Sequence, residues 1–115
     1  KGRIMDNWIN QKCLGGVTCM PIEEIKIGLR DINGWKLSKD CKTIYSTWKM
    51  RDFSAGIKFL NHVAEVADME DHHPDFNLRN YRNISIELST HSVGGISVND
   101  LILAAKINEI PKDLF

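Results

Sequence analysis

The segment 84–90 constrains the fold most strongly, because Ile84, Ile86 and Leu88 alternate with polar residues along it. Ile84, Ile86 and Leu88 fall on one side of an extended chain, since successive side chains of a strand point to opposite faces. The residues of the other, polar side are Ser85, Glu87, Ser89 and His91. This pattern predicts a strand whose apolar side covers a core and whose last polar residue, His91, points away from that side.

Apolar residues recur at helical spacing in three other segments, which can pack against that strand. The first covers residues 21–34. The second covers residues 53–68 and is capped by Asp52 or Ser54. The third begins at Ser97, which opens an S-x-x-D capping box. We therefore predict three helices.

Further extended segments complete the predicted sheet. Runs at 35–39 and 43–51 surround a polar turn and indicate a hairpin. Pro74 bars a continuing helix, so residues from there to 83 are interpreted as a polar loop. A short strand over 95–97 is weakly signalled. The predicted fold class is α+β, an antiparallel sheet of about four strands with three helices packed on one face.

Length and charge exclude several classes of protein. A chain of 115 residues supports one core, so we expect an irregular lead segment at 1–19 and one domain at 20–115. Lysine and arginine number 15, as do aspartate and glutamate, which leaves no net field for direct binding of nucleic acid or an acidic membrane. No run approaches the roughly 20 apolar residues of a membrane span, and a soluble protein is expected.

The cysteines indicate the compartment. Cys13, Cys19 and Cys41 are odd in number and fit neither a disulfide framework nor a four-ligand zinc site. A reducing compartment, with the cytoplasm as the first choice and an organelle or the nucleus as alternatives, is the simplest interpretation.

Three of the four histidines, His72, His73 and His91, fall in or beside the segment between the second helix and the predicted strand. Free imidazole both gives and takes protons near neutral pH, which suits general acid and base catalysis. The alternative is that the adjacent pair only decorates a polar loop. A metal site is less favoured, because adjacent histidines on extended backbone point to opposite sides.

Other polar residues also have structural explanations. Asp100 is the acid of the capping box, and Asp68 can be a solvated residue near a helix end. Trp35 and Trp48 are interpreted as structural residues of the core or of an interface, and His62 as a partly exposed helix residue outside any site.

Two strings, DHHPD at 71–75 and STHSVGGIS at 89–97, are followed by Asp100 and resemble the signature of the pterin-4a-carbinolamine dehydratases. Asn33-Gly34-Trp35 is similar to a helix-to-strand junction of that family. Residues 53–67 and 103–110 are similar to its central and closing helices, the latter in its plant-like branch. The resemblance covers about residues 20–110, and residues 1–19 have no counterpart in it.

The resemblance implies an enzyme that dehydrates 4a-hydroxytetrahydrobiopterin to quinonoid dihydropterin in tetrahydrobiopterin recycling, without a metal or organic cofactor. His72 and His91 would be the acid and base, and His73 would chiefly hold the substrate. Substrate-binding candidates are Asp68, Asp71, Ser89, Thr90 and Asp100. Asp68 stands where the family usually has glutamate, so its reach to a histidine is shorter by one methylene.

The resemblance also implies partners. Family members assemble as homodimers or homotetramers, and an uncovered strand edge favours such assembly. A protein partner is an additional option, because animal members serve as transcription cofactors. The alternative to the enzyme is a non-catalytic binding or assembly module, although such dehydratase-like factors tend to lose the histidines that this chain retains.

Overall fold

The structure is a computed structural model that describes residues 8–111. Residues 1–7 of the predicted lead segment and 112–115 of the predicted domain lie outside that part. The regular elements are, in chain order, α1 (Ile22–Leu29), β1 (Lys36–Leu37), β2 (Ile44–Lys49), α2 (Phe53–Glu70), β3 (Asp75–Arg79), β4 (Asn83–Leu88), a 3₁₀ turn (His91–Val93) and α3 (Val98–Asn108). The helices α1, α2 and α3 and the antiparallel sheet confirm the predicted α+β class.

The four strands form one sheet in the order β1-β2-β4-β3, so β4 lies inside it. The register places Ile44 opposite Leu88 and Trp48 opposite Ile84. The predicted apolar side of β4 is confirmed, because Ile84, Ile86 and Leu88 are each at most 1% exposed. They belong to one core cluster together with residues of α2 and α3.

α3 is buried on almost its whole surface. All of residues 101–105 are at most 1% exposed, and a helix that is apolar all round is typical of a core. The predicted capping box is present, since the Ser97 hydroxyl accepts from Asn99 N–H and Asp100 accepts from Ser97 N–H at 2.9 Å. The first turn of α3 is thereby fixed inside the protein. No helix within residues 8–111 is long and apolar enough to cross a membrane.

α2 begins and ends at defined caps. Asp52 is the N-cap and accepts a hydrogen bond from Ala55 N–H at 2.8 Å. The helix continues to Glu70, two residues beyond the predicted end, and stops where Asp71 adopts a left-handed φ of 51°. The N–H of His72 then donates to the carbonyl of Ala67 at 3.2 Å and closes the last turn.

The predicted polar loop over 74–83 is wrong in its first half, where β3 pairs with β4. β3 lies at the edge of the sheet and covers the core with only one side. Phe76 and Leu78 pair with the buried Ile86 and Ile84, whereas the other residues of the strand are polar. A short edge strand of this composition carries little hydrophobic signal.

Other boundaries also differ from the prediction. The weakly signalled strand over 95–97 is only an isolated bridge, in which Thr90 N–H donates to the Gly95 carbonyl at 2.7 Å. β4 ends at Leu88, so its alternation does not extend to His91, which opens the 3₁₀ turn. α1 ends at Leu29, before the predicted end at residue 34.

Candidate functional site

The site lies where the end of α2 meets the first turn of α3. Nε2 of His72 and Oδ1 of Asp100 are 2.6 Å apart, and Asp100 is fully buried. Because a carboxylate only accepts hydrogen bonds, the ring hydrogen lies on Nε2 and Nδ1 keeps its lone pair in the neutral ring. Within residues 8–111, Nδ1 has no protein partner. The neutral ring of His72 therefore has a fixed tautomer.

The second carboxylate oxygen of Asp100 is also held. Oδ2 accepts from the Thr90 hydroxyl at 2.8 Å and from Ser97 N–H at 2.9 Å. The hydroxyl oxygens of Thr90 and Ser97 are 2.7 Å apart. Since the Thr90 hydrogen goes to Asp100, the Ser97 hydroxyl donates to Thr90. This network fixes the carboxylate, and the carboxylate in turn orients the His72 ring.

His73 is placed differently from its neighbour. Its Nε2 lies 3.1 Å from Oδ1 of Asp68, and the two side chains are 58% and 77% exposed. An exposed pair of this kind contributes little to stability. Asp68 thus reaches a histidine despite its shorter side chain, but it reaches His73 and not His72.

All three predicted histidines line one open cavity of about 390 Å³. Its other lining residues are Asp71, Pro74, Asp75, Ser89, Thr90 and Ser92. His91 enters the cavity from the 3₁₀ turn, and its side chain is exposed. The structure therefore brings together six of the eight predicted site residues. The other two are outside the cavity lining: Asp100 lies behind His72, and the Asp68 side chain contacts His73.

A buried polar cluster beside the site was not predicted. The side chain of Glu70 is 3% exposed, its Oε2 accepts from Lys106 Nζ at 2.5 Å, and its Oε1 accepts from Cys13 N–H at 2.9 Å. Burial raises the pKa of Glu70, but the hydrogen bonds from Lys106 and Cys13 outweigh it and leave that pKa lowered. Glu70 follows Val63 and Ala67 at helical spacing, so the sequence contained a signal for its burial.

The pKa of the neighbouring Cys13 thiol is shifted in the opposite direction. Burial, followed by the negative charge of Glu70, raises the pKa of Cys13 to about 12. Cys13 is thus a neutral thiol at physiological pH and is a poor nucleophile or metal ligand. Within residues 8–111, no group of histidine, cysteine and acidic side chains is arranged to hold a metal ion.

The fold and the site together define an α+β domain with a cavity that is lined by three histidines, one of which is held by a buried carboxylate. The family model described as pterin 4 alpha carbinolamine dehydratase matches residues 19–110. The chain belongs to this family of hydro-lyases.

Relatives from plants and bacteria support the same assignment. The chain is 39% identical over 103 residues to the mitochondrial pterin-4-alpha-carbinolamine dehydratase 2 of Arabidopsis thaliana, covering 88% of this chain and 54% of the plant protein. It thus spans about half the length of that relative. A putative pterin-4-alpha-carbinolamine dehydratase of Halorhodospira halophila is 39% identical over 98 residues, covering 85% of this chain and 89% of the bacterial one.

Solved structures share the fold. A transcriptional coactivator/pterin dehydratase from Brucella melitensis superposes with a TM-score of 0.72 at 30% identity, covering 77% of this chain and 94% of that one. A pterin dehydratase-like protein identified as a RuBisCO assembly factor in the alpha-carboxysome superposes with a TM-score of 0.55 at 16% identity, covering 66% of this chain and 87% of that one. The second likeness concerns the fold alone.

Proposed function

We propose that the protein dehydrates 4a-hydroxytetrahydrobiopterin to quinonoid dihydropterin and water by histidine acid/base catalysis. The C4a–oxygen bond breaks, the hydrogen on N5 is removed, and a C4a=N5 double bond forms. One group must protonate the departing hydroxyl while another takes the N5 proton. The observation that carries the proposal is the His72–Asp100 pair, at a cavity that also contains His73 and His91.

His72 is the better placed base. Its Nδ1 is free of protein partners within residues 8–111, and Asp100 stabilises the imidazolium that forms when that nitrogen takes the N5 proton. His91, which is exposed and exchanges protons with solvent, then protonates the 4a-hydroxyl. His73, which also lines the cavity, holds the substrate.

The remaining candidates divide into two groups. Asp71 and Ser89 line the cavity and are proposed to contact the pterin. Asp100 is fully buried, and the Thr90 hydroxyl is occupied by its bonds to Asp100 and Ser97. These two residues act through His72 and do not bind substrate directly. Asp68 acts through His73.

The physiological setting follows from this chemistry. A 4a-hydroxypterin arises when a tetrahydropterin-dependent hydroxylase transfers oxygen, so the enzyme would serve tetrahydrobiopterin recycling. No cofactor is required for the proton transfers. The cytoplasm is proposed as the compartment, with an organelle as the alternative because the Arabidopsis relative is named as mitochondrial.

A homodimer or homotetramer is proposed as the working state. β3 is an edge strand whose outer side pairs with no other strand of the described residues. Beside it, an apolar cavity of about 350 Å³ lies between α2 and β3 and is lined by Ile57 and Phe76, which are 40% and 55% exposed. Exposed strand edges and apolar patches favour association.

A non-catalytic binding or assembly module is the alternative. The likeness to the RuBisCO assembly factor, at 16% identity, supports a shared fold and carries no argument about function. A module without catalysis has no need of a buried acid that orients His72 towards an open cavity, so the enzyme is favoured.

The test follows quinonoid dihydropterin formation from freshly generated 4a-hydroxytetrahydrobiopterin, with the spontaneous reaction as the baseline. Wild type is expected to accelerate the reaction, and His91→Ala to lose most of the acceleration. His62→Ala is the matched control, because His62 lies on α2 away from the cavity. A folded wild-type protein that leaves the spontaneous rate unchanged would favour the assembly module.

A further inference from the structure

A second cavity adjoins the histidine cavity and is lined on one side by residues 13–17, here called the strap. It measures about 220 Å³, and four of its lining residues also line the histidine cavity. The shared residues are Asp71, His72, Thr90 and Ser92. A molecule bound against His72 in one cavity can therefore extend into the other.

Two buried side chains anchor the strap. Asn99, which is 6% exposed, accepts from Leu14 N–H at 3.1 Å and donates through Nδ2 to the Leu14 carbonyl at 2.8 Å. Glu70 accepts from Cys13 N–H at 2.9 Å and is itself held by Lys106. Such buried hydrogen bonds, one of them to an ionised group, hold the strap in one position.

The anchors are next to the proposed catalytic pair in the chain. Asn99 directly precedes Asp100, and Glu70 lies two residues before His72. The strap is thus positioned by the same turn of α3 and the same end of α2 that position the acid and the histidine. The fold therefore sets the distance between the strap and the His72 ring.

The strap contains backbone N–H groups that have no hydrogen-bond acceptor among the described residues. Gly15, Gly16 and Val17 line the second cavity, and within residues 8–111 the N–H groups of Gly15 and Gly16 donate to no protein atom. The Ser92 hydroxyl at the same cavity is likewise without a partner among those residues. The carboxylates of Glu70 and Asp71 also line the cavity. Donors combined with negative charge suit a neutral, hydroxylated group better than an anion.

We propose that the second cavity is a subsite for the hydroxylated side chain at C6 of the pterin, formed by the strap and Ser92. This inference rests on the proposed function, because it assumes that the pterin ring occupies the histidine cavity. The family model begins at residue 19, so the strap lies outside the matched core and is suited to set which C6 side chain is accepted.

The experiment measures equilibrium binding of two stable pterins, 7,8-dihydrobiopterin and 6-methyl-7,8-dihydropterin, which differ at C6. Wild type is expected to bind the dihydroxypropyl compound about tenfold more tightly, as one or two added hydrogen bonds predict. Gly15→Leu is expected to abolish this preference and to leave the affinity for the 6-methyl compound within about twofold. A Cβ at Gly15 meets no heavy atom within 4 Å, so the variant retains the fold.

Thr18→Leu is the matched control, since Thr18 is exposed, follows the strap directly and does not line the cavity. It is expected to keep the wild-type preference. Equal binding of both pterins by wild type, or an unchanged preference in Gly15→Leu, would overturn the subsite. Binding with the expected preference but without dehydration would instead contradict only the proposed reaction.

Discussion

Asp100 orients His72 from inside the protein, through a hydrogen bond of 2.6 Å between Oδ1 and Nε2. His72 follows the end of α2 and Asp100 lies in the first turn of α3, and the acid has no exposure to solvent. The histidine is 12% exposed at its side chain and faces the cavity. In the proposed reaction, Asp100 supplies fixed charge and geometry, and His72 supplies the reacting nitrogen.

Replacement of the buried acid tests this division. Asp100→Asn is expected to lower the dehydration rate by about 100-fold or more, because an amide neither fixes the tautomer of His72 nor stabilises its charged form. Asp68→Asn, at the exposed His73 pair, is expected to lower it by less than about tenfold. The rate above the spontaneous reaction is the measurement. A loss in Asp68→Asn as large as that in Asp100→Asn would contradict the assignment.

Glu70 predicts how stability depends on pH. Its pKa is lowered in the folded state, so its contribution is present above the ordinary value for glutamate, 4.5, and is lost as pH falls below that value. Glu70→Gln is expected to reduce the free energy of unfolding by about 3 kcal/mol at pH 7, because Lys106 is left without its charge partner. Urea unfolding should show this difference shrinking between pH 5 and about pH 3.

Glu65→Gln provides the control for that measurement. Glu65 lies on the same helix but is 75% exposed at its side chain, and its change in unfolding free energy should stay within about 0.5 kcal/mol. A Glu70→Gln effect that is independent of pH would show that its charge does not stabilise the fold.

Replacement of Asn99 is expected to affect the strap more than any other described part of the protein. Asn99→Ala removes both hydrogen bonds to Leu14 and should lower the free energy of unfolding by about 1–3 kcal/mol. Hydrogen exchange at the Leu14 amide should accelerate. Exchange of the β4 amides should accelerate only as far as the loss of global stability predicts. Asn77→Ala, on the exposed side of β3, is the control. An unchanged Leu14 amide would show that Asn99 does not hold the strap.

Assembly is predicted to depend on the apolar surface beside β3. Phe76→Glu is expected to shift the mass in solution from an oligomer towards the 13.1 kDa monomer, because it places a charge on that surface. Tyr81→Glu is a matched control, with an aromatic side chain of similar exposure, 58% against 55%, that does not line the cavity. Light scattering after size exclusion gives the mass. A monomeric wild type would contradict the proposed oligomer.

The elements with a strong period could be predicted from the sequence. The alternation through Ile84, Ile86 and Leu88 and the capping box at Ser97 are both found in the structure, because each is decided by local geometry and burial. β3 could not be predicted, since it is stabilised by pairing with β4 and contributes only Leu78 to the core. Pairing with the following strand β4 is not visible in the hydrophobic pattern of β3 itself.

The candidate site was predictable in composition but not in geometry. The motifs singled out His72, His73 and His91, and the structure places all three at one cavity. The sequence did not indicate which histidine Asp100 contacts, because the two residues are 28 positions apart and meet only through the packing of α2 on α3. Asn99 was missed for the same reason, since its partner Leu14 is 85 residues away.

The most direct test of the account compares wild type with His72→Ala in the dehydration of freshly generated 4a-hydroxytetrahydrobiopterin. The account predicts that wild type exceeds the spontaneous rate and that the variant, although folded, loses this acceleration by about 100-fold or more. A His72→Ala protein that dehydrates the substrate at the wild-type rate would contradict the central claim that this histidine, oriented by Asp100, carries the reaction.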